Sequence, residues 1–73
     1  MSDARQAITA AKQAGAEEHA AEDLHAAEAY LDSAARKLSE RAYGSARRDA
    51  MLAKERARQA LELSEGERDD DNE

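Results

Sequence analysis

The feature that most restricts the fold of this chain is alanine, repeated every three or four residues. The sequence has 19 Ala among 73 residues, beside only 11 Leu, Ile, Met and Tyr. Apolar side chains at this spacing lie on one face of an α-helix, which packs along that face. Fully burying one large aliphatic side chain contributes only about 1.5–3 kcal/mol. We therefore predict one small core between closely packed helices.

The residue types also exclude a β-fold. The chain has no Val, Phe or Trp, so strands would lack the β-branched and aromatic residues that they favour. Strong helix formers make up most of the sequence, and no Pro interrupts them. The absence of Cys removes disulfides and thiolate metal sites. We expect a single all-α domain.

Three runs of apolar residues predict three helices. The first spans about residues 3–14 and is closed by Gly15, a residue type favoured just after a helix. The second spans about 20–39 and alternates Leu with Ala, while the third spans about 43–64 and is nearly pure Ala on one face. A turn near 39–42 would reverse the chain, although one long bent helix is the alternative. We predict a short N-terminal helix packed on an antiparallel helical hairpin.

Charge is distributed unevenly along the chain. The net charge is −6, and residues 65–73 alone contribute −5 without any apolar side chain, which predicts an acidic disordered tail. Residues 21–40 sum to −3 and residues 41–64 to +3, so the second and third helices attract each other weakly. Charged residues recur every few positions, whereas a membrane span needs about 20 consecutive apolar residues. We expect no membrane span.

Three short motifs carry a resemblance to a known family. They are Ala14-Gly15-Ala16, then Ala20-Ala21-Glu22-Asp23-Leu24 with Ala27, Leu31 and Ala34, and finally Tyr43-Gly44-Ser45-Ala46 with Ala50, Ala53 and Ala57. Over about residues 4–61 they resemble a group of bacterial cell-envelope proteins, domain of unknown function 4398. This chain departs from the family pattern at Ala21 and Asp23, where the family usually has Pro and Glu. It also has Arg41 and Ala42 where Gly tends to precede the Tyr.

The resemblance implies a helical domain of the periplasm or outer membrane, often carried on a lipoprotein. It also implies that a signal peptide and lipid anchor preceded Met1. The first five residues themselves contain neither a basic region nor an apolar region of a secretory signal. Without a leader, the protein would be cytoplasmic. The family supplies no catalytic residues.

Two spacings at the start of the second helix and just before it suggest metal ligands. Glu22 and His25 match the Glu-x-x-His spacing of di-iron helical bundles, and His19 lies four residues before Asp23. If Leu24 is buried, however, Glu22 and His25 point away from the core, where they would enclose a cation poorly. Histidine exposed among carboxylates explains the same residues without a ligand. We expect no metal and no cofactor, and keep these four residues as weak candidates.

Catalysis and nucleic-acid binding find little support. No Ser-His-acid arrangement and no Gly-rich phosphate loop occurs in the sequence. The third helix is basic, but acidic residues interrupt its arginines and the whole chain is negative, which opposes binding to a polyanion. We expect neither an enzyme nor a nucleic-acid-binding protein.

The two tyrosines are the only aromatic residues. Tyr43 heads the third helix, so we predict that it fills the core near the hairpin turn. Tyr30 lies off the Leu-containing face, and aromatic residues are enriched at binding hot spots. We therefore predict Tyr30 as a partner contact or as packing against the first helix.

These observations favour a non-catalytic interaction or structural module. Alanine faces bury little area, so self-association or a protein partner would supply burial that a monomer lacks. Two alternatives stay open: a cation-binding helical protein that uses His19 and His25, and a small acidic cytoplasmic regulatory protein.

Overall fold

A computed structural model describes residues 2–71, with side chains through residue 66. It contains four helices: α1 (Ser2–Gln13), α2 (Ala16–His19), α3 (Ala21–Ser39) and α4 (Tyr43–Asp71). No strand occurs within this range. The predicted all-α class is confirmed.

Helices α3 and α4 form an antiparallel hairpin. Lys37, near the end of α3, pairs with Asp49 in the second turn of α4, with 2.8 Å between Nζ and Oδ2. Asp23, near the start of α3, pairs with Arg56 farther along α4, with 3.3 Å between Oδ1 and Nη1. The second pair joins an acidic α3 residue to a basic α4 residue, as the segment charges predicted. The first pair has the opposite polarity.

Helix α1 packs on this hairpin, as predicted. Lys12 Nζ lies 3.8 Å from Glu28 Oε2 of α3. Lys54 Nζ of α4 lies 3.9 Å from Asp3 Oδ2. Exposed ion pairs of this kind contribute at most about 1 kcal/mol. Burial of the α1 face that contains Ile8 therefore holds the helix in place.

The core consists mainly of alanine. Among the described residues, thirteen hydrophobic side chains are buried, and only Ile8 and Leu24 of these are large. The others are Ala4, Ala11, Ala14, Ala16, Ala20, Ala27, Ala34, Ala46, Ala53, Ala57 and Ala60. Because a methyl group projects so little, the helix backbones approach closely along these faces. The predicted alanine-lined packing is confirmed.

The chain reverses between α3 and α4 without a glycine. The Ala42 N–H donates to the Lys37 carbonyl at 2.8 Å, and the Arg41 N–H donates to the Leu38 carbonyl at 3.0 Å. This bond pattern is the Schellman motif, which requires a left-handed residue after the helix. That residue is Arg41, with φ of 65°. The predicted turn near 39–42 is confirmed, and the alternative of one continuous helix is wrong.

Gly15 ends α1 and also begins α2. Its φ of 93° lies in the left-handed region, and its N–H donates to the Lys12 carbonyl at 3.0 Å. Its own carbonyl accepts from the N–H groups of Glu18 and His19. The prediction that Gly15 closes the first helix is confirmed. The sequence analysis missed α2, a single turn that a non-helical Ala20 separates from α3.

Helix α4 is longer than predicted. It continues through Asp71, whereas the sequence analysis ended this helix at residue 64 and predicted a disordered tail over 65–73. No Pro follows residue 64, and a single helical glycine such as Gly66 costs only about 1 kcal/mol. Nothing in this stretch therefore stops the helix. Residues 72–73 lie outside the described residues.

Candidate interaction surface

The large apolar side chains lie mostly on the outside. Among the ten in the described residues, only Ile8 and Leu24 are buried, and three are half-buried. The exposed ones are Leu38 (40%), Tyr43 (59%), Met51 (66%), Leu52 (39%) and Leu63 (53%). Alanine fills the interior, so apolar area that a larger core would cover is available to other molecules. Four of these side chains occupy two regions, and Met51 lies beside the start of α1.

The first region is the hairpin-end groove, which is lined by Leu38, Tyr43, Ala46, Arg47 and Ala50. The prediction that Tyr43 fills the core is wrong, because this side chain is 59% exposed.

The position of α1 explains this exposure. The first residues of α1 meet α4 from Arg47 to Lys54, where Asp3 and Ala4 line a shared depression. No residue of α1 lines the hairpin-end groove. Tyr43 therefore meets α3 at Leu38 but does not meet α1, and most of its surface stays exposed.

The second region is the α4 flank, which we define as Leu52, Arg56, Gln59 and Leu63. Spacings of four, three and four residues place these side chains on one face of α4. Arg56 pairs with Asp23, and Gln59 and Leu63 share a shallow depression with the same carboxylate. The α4 flank therefore meets α3 along one side of the hairpin.

Tyr30 lies on this same side. It stands seven residues, or two helical turns, from both Asp23 and Lys37. Each of those residues contacts α4. By contrast, α1 packs beside Leu31. Tyr30 is half-buried, and its role as a partner contact stays a prediction.

A buried carboxylate lies between the two long helices. Asp49 is 7% exposed, and its Oδ2 accepts a hydrogen bond from the Ser33 hydroxyl at 2.7 Å and faces Lys37 Nζ at 2.8 Å. The hydrogen bond from Lys37 is the main cause that lowers the pKa of Asp49, followed by the bond from Ser33. Sequence reasoning missed this cluster. The available signal was that Asp49 falls between Ala46 and Ala53 at core spacing.

The weak metal candidates do not form a site. His19, Glu22 and His25 are exposed, and Asp23 pairs with Arg56. Within residues 2–66, whose side chains the structure describes, no group of three His, Cys, Asp or Glu side chains is placed to hold a metal ion.

The fold and these surfaces define a class: a small all-helical module in which a short helix packs on an alanine-lined hairpin and large apolar side chains face outward. The chain belongs to the family described as domain of unknown function (DUF4398), whose model matches residues 1–72. The resemblance inferred from the sequence is confirmed. No curated protein and no solved structure matches the chain. In the described part of the chain, every helix is too short or too polar to cross a lipid bilayer.

Proposed function

We propose that this protein is a non-catalytic interaction or structural module of the bacterial cell envelope, and that it associates with itself through the α4 flank. One observation carries the proposal. Half of the large apolar side chains in the described residues are exposed, while alanine occupies the core. Exposed apolar area of this kind is available to be buried against another molecule.

The α4 flank suits a second copy of the chain. Leu52 and Leu63 lie eleven residues apart, about 16 Å along the helix axis. The spacing of the four residues reads the same in both directions. Two antiparallel copies related by a two-fold axis would therefore set Leu52 of one copy beside Leu63 of the other. A two-fold interface requires this self-complementarity.

Sedimentation equilibrium at micromolar concentration tests self-association. We expect a species heavier than the 8.0 kDa chain. The double variant Leu52→Gln/Leu63→Gln should sediment as a monomer and keep its far-ultraviolet circular dichroism. The control is Met51→Gln, which removes a more exposed apolar side chain from a different face of α4 and should leave the mass unchanged.

Two results would contradict this interface. One is a fully helical wild-type protein that stays monomeric at every concentration. The other is equal loss of association in the control variant.

The envelope location follows from the family resemblance and needs its own test. We expect the native gene to encode a secretory signal and a lipid-modified cysteine upstream of Met1. Expression from that gene, followed by fractionation, should recover the protein with the envelope. Recovery in the cytoplasm would instead favour the small acidic regulatory protein.

A further inference from the structure

The hairpin end gathers basic side chains from both long helices. These are Arg36, Lys37, Arg41, Arg47 and Arg48, and residues 36–49 contain two acids, Glu40 and Asp49, for a net charge of +3. Because α3 ends at Ser39 and α4 begins at Tyr43, all of them lie within about 10 Å of the turn along the helix axes. The four arginines are exposed, whereas Lys37 forms an ion pair with Asp49.

Two strongly acidic segments lie toward the other end of the molecule. Residues 15–23 carry a net charge of −4 and residues 62–71 carry −5. Asp23 is eighteen residues before Arg41, about 25 Å along α3. This separation is several times the screening length of about 8 Å at physiological ionic strength. The electrostatic potential at the hairpin end is therefore positive, although the net charge of the whole chain is negative.

Apolar side chains lie among these arginines. Leu38 and Tyr43 are exposed and line the hairpin-end groove with Arg47. Tyrosine is enriched where membranes meet water, and clustered basic residues bind anionic lipid headgroups. One end of the molecule thus combines the two features that a membrane surface attracts.

Arg41 adds a backbone observation. It occupies the left-handed position of the turn with φ of 65°, where glycine is the usual residue because it has no Cβ. Observed backbone strain at an exposed charged residue is a reason to look for function there.

We propose that the hairpin end docks on the surface of a bilayer that contains anionic phospholipids. Leu38 and Tyr43 enter the interface, and the four arginines contact headgroup phosphates. A lipid surface fits better than a protein partner because the contact is small. The molecule measures 49 × 16 × 14 Å, so its end is only 16 × 14 Å across. A specific protein interface buries about 800 Å² per partner.

Vesicle co-sedimentation tests this docking with the full chain. We expect binding to phosphatidylcholine vesicles that contain phosphatidylglycerol, and little binding to pure phosphatidylcholine. Each arginine should contribute about fivefold to the partition coefficient. Arg41→Gln/Arg47→Gln should therefore weaken binding about 25-fold.

The matched control is Arg5→Gln/Arg58→Gln. It changes the net charge equally at exposed positions of α1 and α4 away from the hairpin end. This variant should bind as the wild type does.

Arg41→Gly separates a structural role from docking. Glycine relieves the left-handed conformation, so this variant should unfold at a temperature a few degrees higher. It should also bind anionic vesicles about fivefold more weakly. A more stable protein that binds less cannot owe its loss of binding to unfolding.

The variant Tyr43→Trp reports whether the hairpin end enters the bilayer interface, because the chain has no other Trp. Emission of Tyr43→Trp should shift to the blue on adding anionic vesicles and stay unchanged with neutral ones.

Three results would overturn the proposal: equal binding to neutral and anionic vesicles, equal loss in the control variant, and no binding at all. A fourth would assign the hairpin end to a second copy of the chain. In that case Arg41→Gln/Arg47→Gln would abolish self-association in sedimentation while vesicle binding stayed unchanged. Failure of the α4 flank variants leaves this test intact, because they change a different surface.

Discussion

At the scale of single residues, the environment of Asp49 departs most from what its residue type suggests. A carboxylate is almost never buried without partners, and this one has a hydroxyl and an ammonium group within hydrogen-bond distance. Both partners come from α3, one turn apart. The Asp49 cluster therefore ties α3 to α4 near the hairpin end and helps to define their register.

The lowered pKa of Asp49 predicts a pH dependence. In the unfolded chain the carboxyl takes up a proton near its usual value of 3.8, whereas the folded protein keeps it ionised to lower pH. Its contribution to stability is therefore complete above about pH 4 and is lost as the pH falls through the lowered folded-state pKa. We expect Asp49→Asn to reduce the free energy of unfolding at neutral pH, and the difference from wild type to shrink in acid.

Urea unfolding followed by circular dichroism at a series of pH values checks this expectation. The control is Asp32→Asn, which removes an exposed carboxylate from α3 and should change stability by no more than about 0.5 kcal/mol. A difference between wild type and Asp49→Asn that stays constant well below pH 3.8 would contradict the assignment.

Two residues with a left-handed backbone conformation show how much of the fold follows from local residue preferences. Gly15 is the residue type that such a position favours, and the sequence analysis placed a helix end there correctly. Arg41 occupies the same conformation with a Cβ, which costs an L-residue roughly 1–2 kcal/mol. The second turn was still predicted, because the apolar pattern changes from Leu-containing to Ala-containing across it.

At the scale of helices, alanine determines how closely α1, α3 and α4 approach. Ala57 is fully buried and belongs to the core cluster with Ile8 and Leu24. Ala57 has no exposed surface and lies among the other buried side chains of this cluster, so a larger side chain there would overpack the core. The alanine face of α4 is therefore a geometric requirement as well as a source of apolar area.

We expect Ala57→Leu to destabilise the protein by about 1–3 kcal/mol through overpacking. In a domain of this size, each 1 kcal/mol lowers the melting temperature by roughly 4–8 °C. Thermal unfolding followed by circular dichroism measures the shift.

The matched control adds the same side chain where space is open. Ala35 is exposed on α3, so Ala35→Leu should change stability by about 0.5 kcal/mol or less. Equal melting temperatures for both variants would show that the helices are not held at short distance by the alanine face.

At the scale of the whole molecule, the hairpin depends on α1. The two large buried side chains are Ile8 from α1 and Leu24 from α3. Removing α1 leaves Leu24 as the only one in the described part of the chain and uncovers the alanine face of α4. Chains of about 60 residues are already marginal as independent domains.

We therefore expect a chain without residues 1–14 to lose its cooperative unfolding transition in urea. Circular dichroism of this variant should decrease gradually with temperature, as in an isolated helix, whereas the full chain should unfold in one step. An unchanged urea midpoint would contradict the prediction and show that the hairpin folds without α1.

Charge distribution is also a property of the whole molecule. Summed along the sequence, the charges alternate between segments and give a net −6. In the folded chain, the reversal at Arg41 brings Arg36 and Arg47 to one end, while the acidic residues before Leu24 lie at the other. The net charge of the chain therefore does not show the local charge at the hairpin end, on which docking depends.

The sequence by itself determined the helical class, helices α1 and α3, the first part of α4, the faces on which they pack, the helix end at Gly15 and the reversal between α3 and α4. These features follow from residue spacing and local backbone preference, which act within a few turns of chain. Only the tertiary structure decided that Asp49 is buried and that Tyr43 is exposed. Burial at those positions depends on where α1 and α3 end beside α4, and such distances between helices cannot be read from periodicity along one of them.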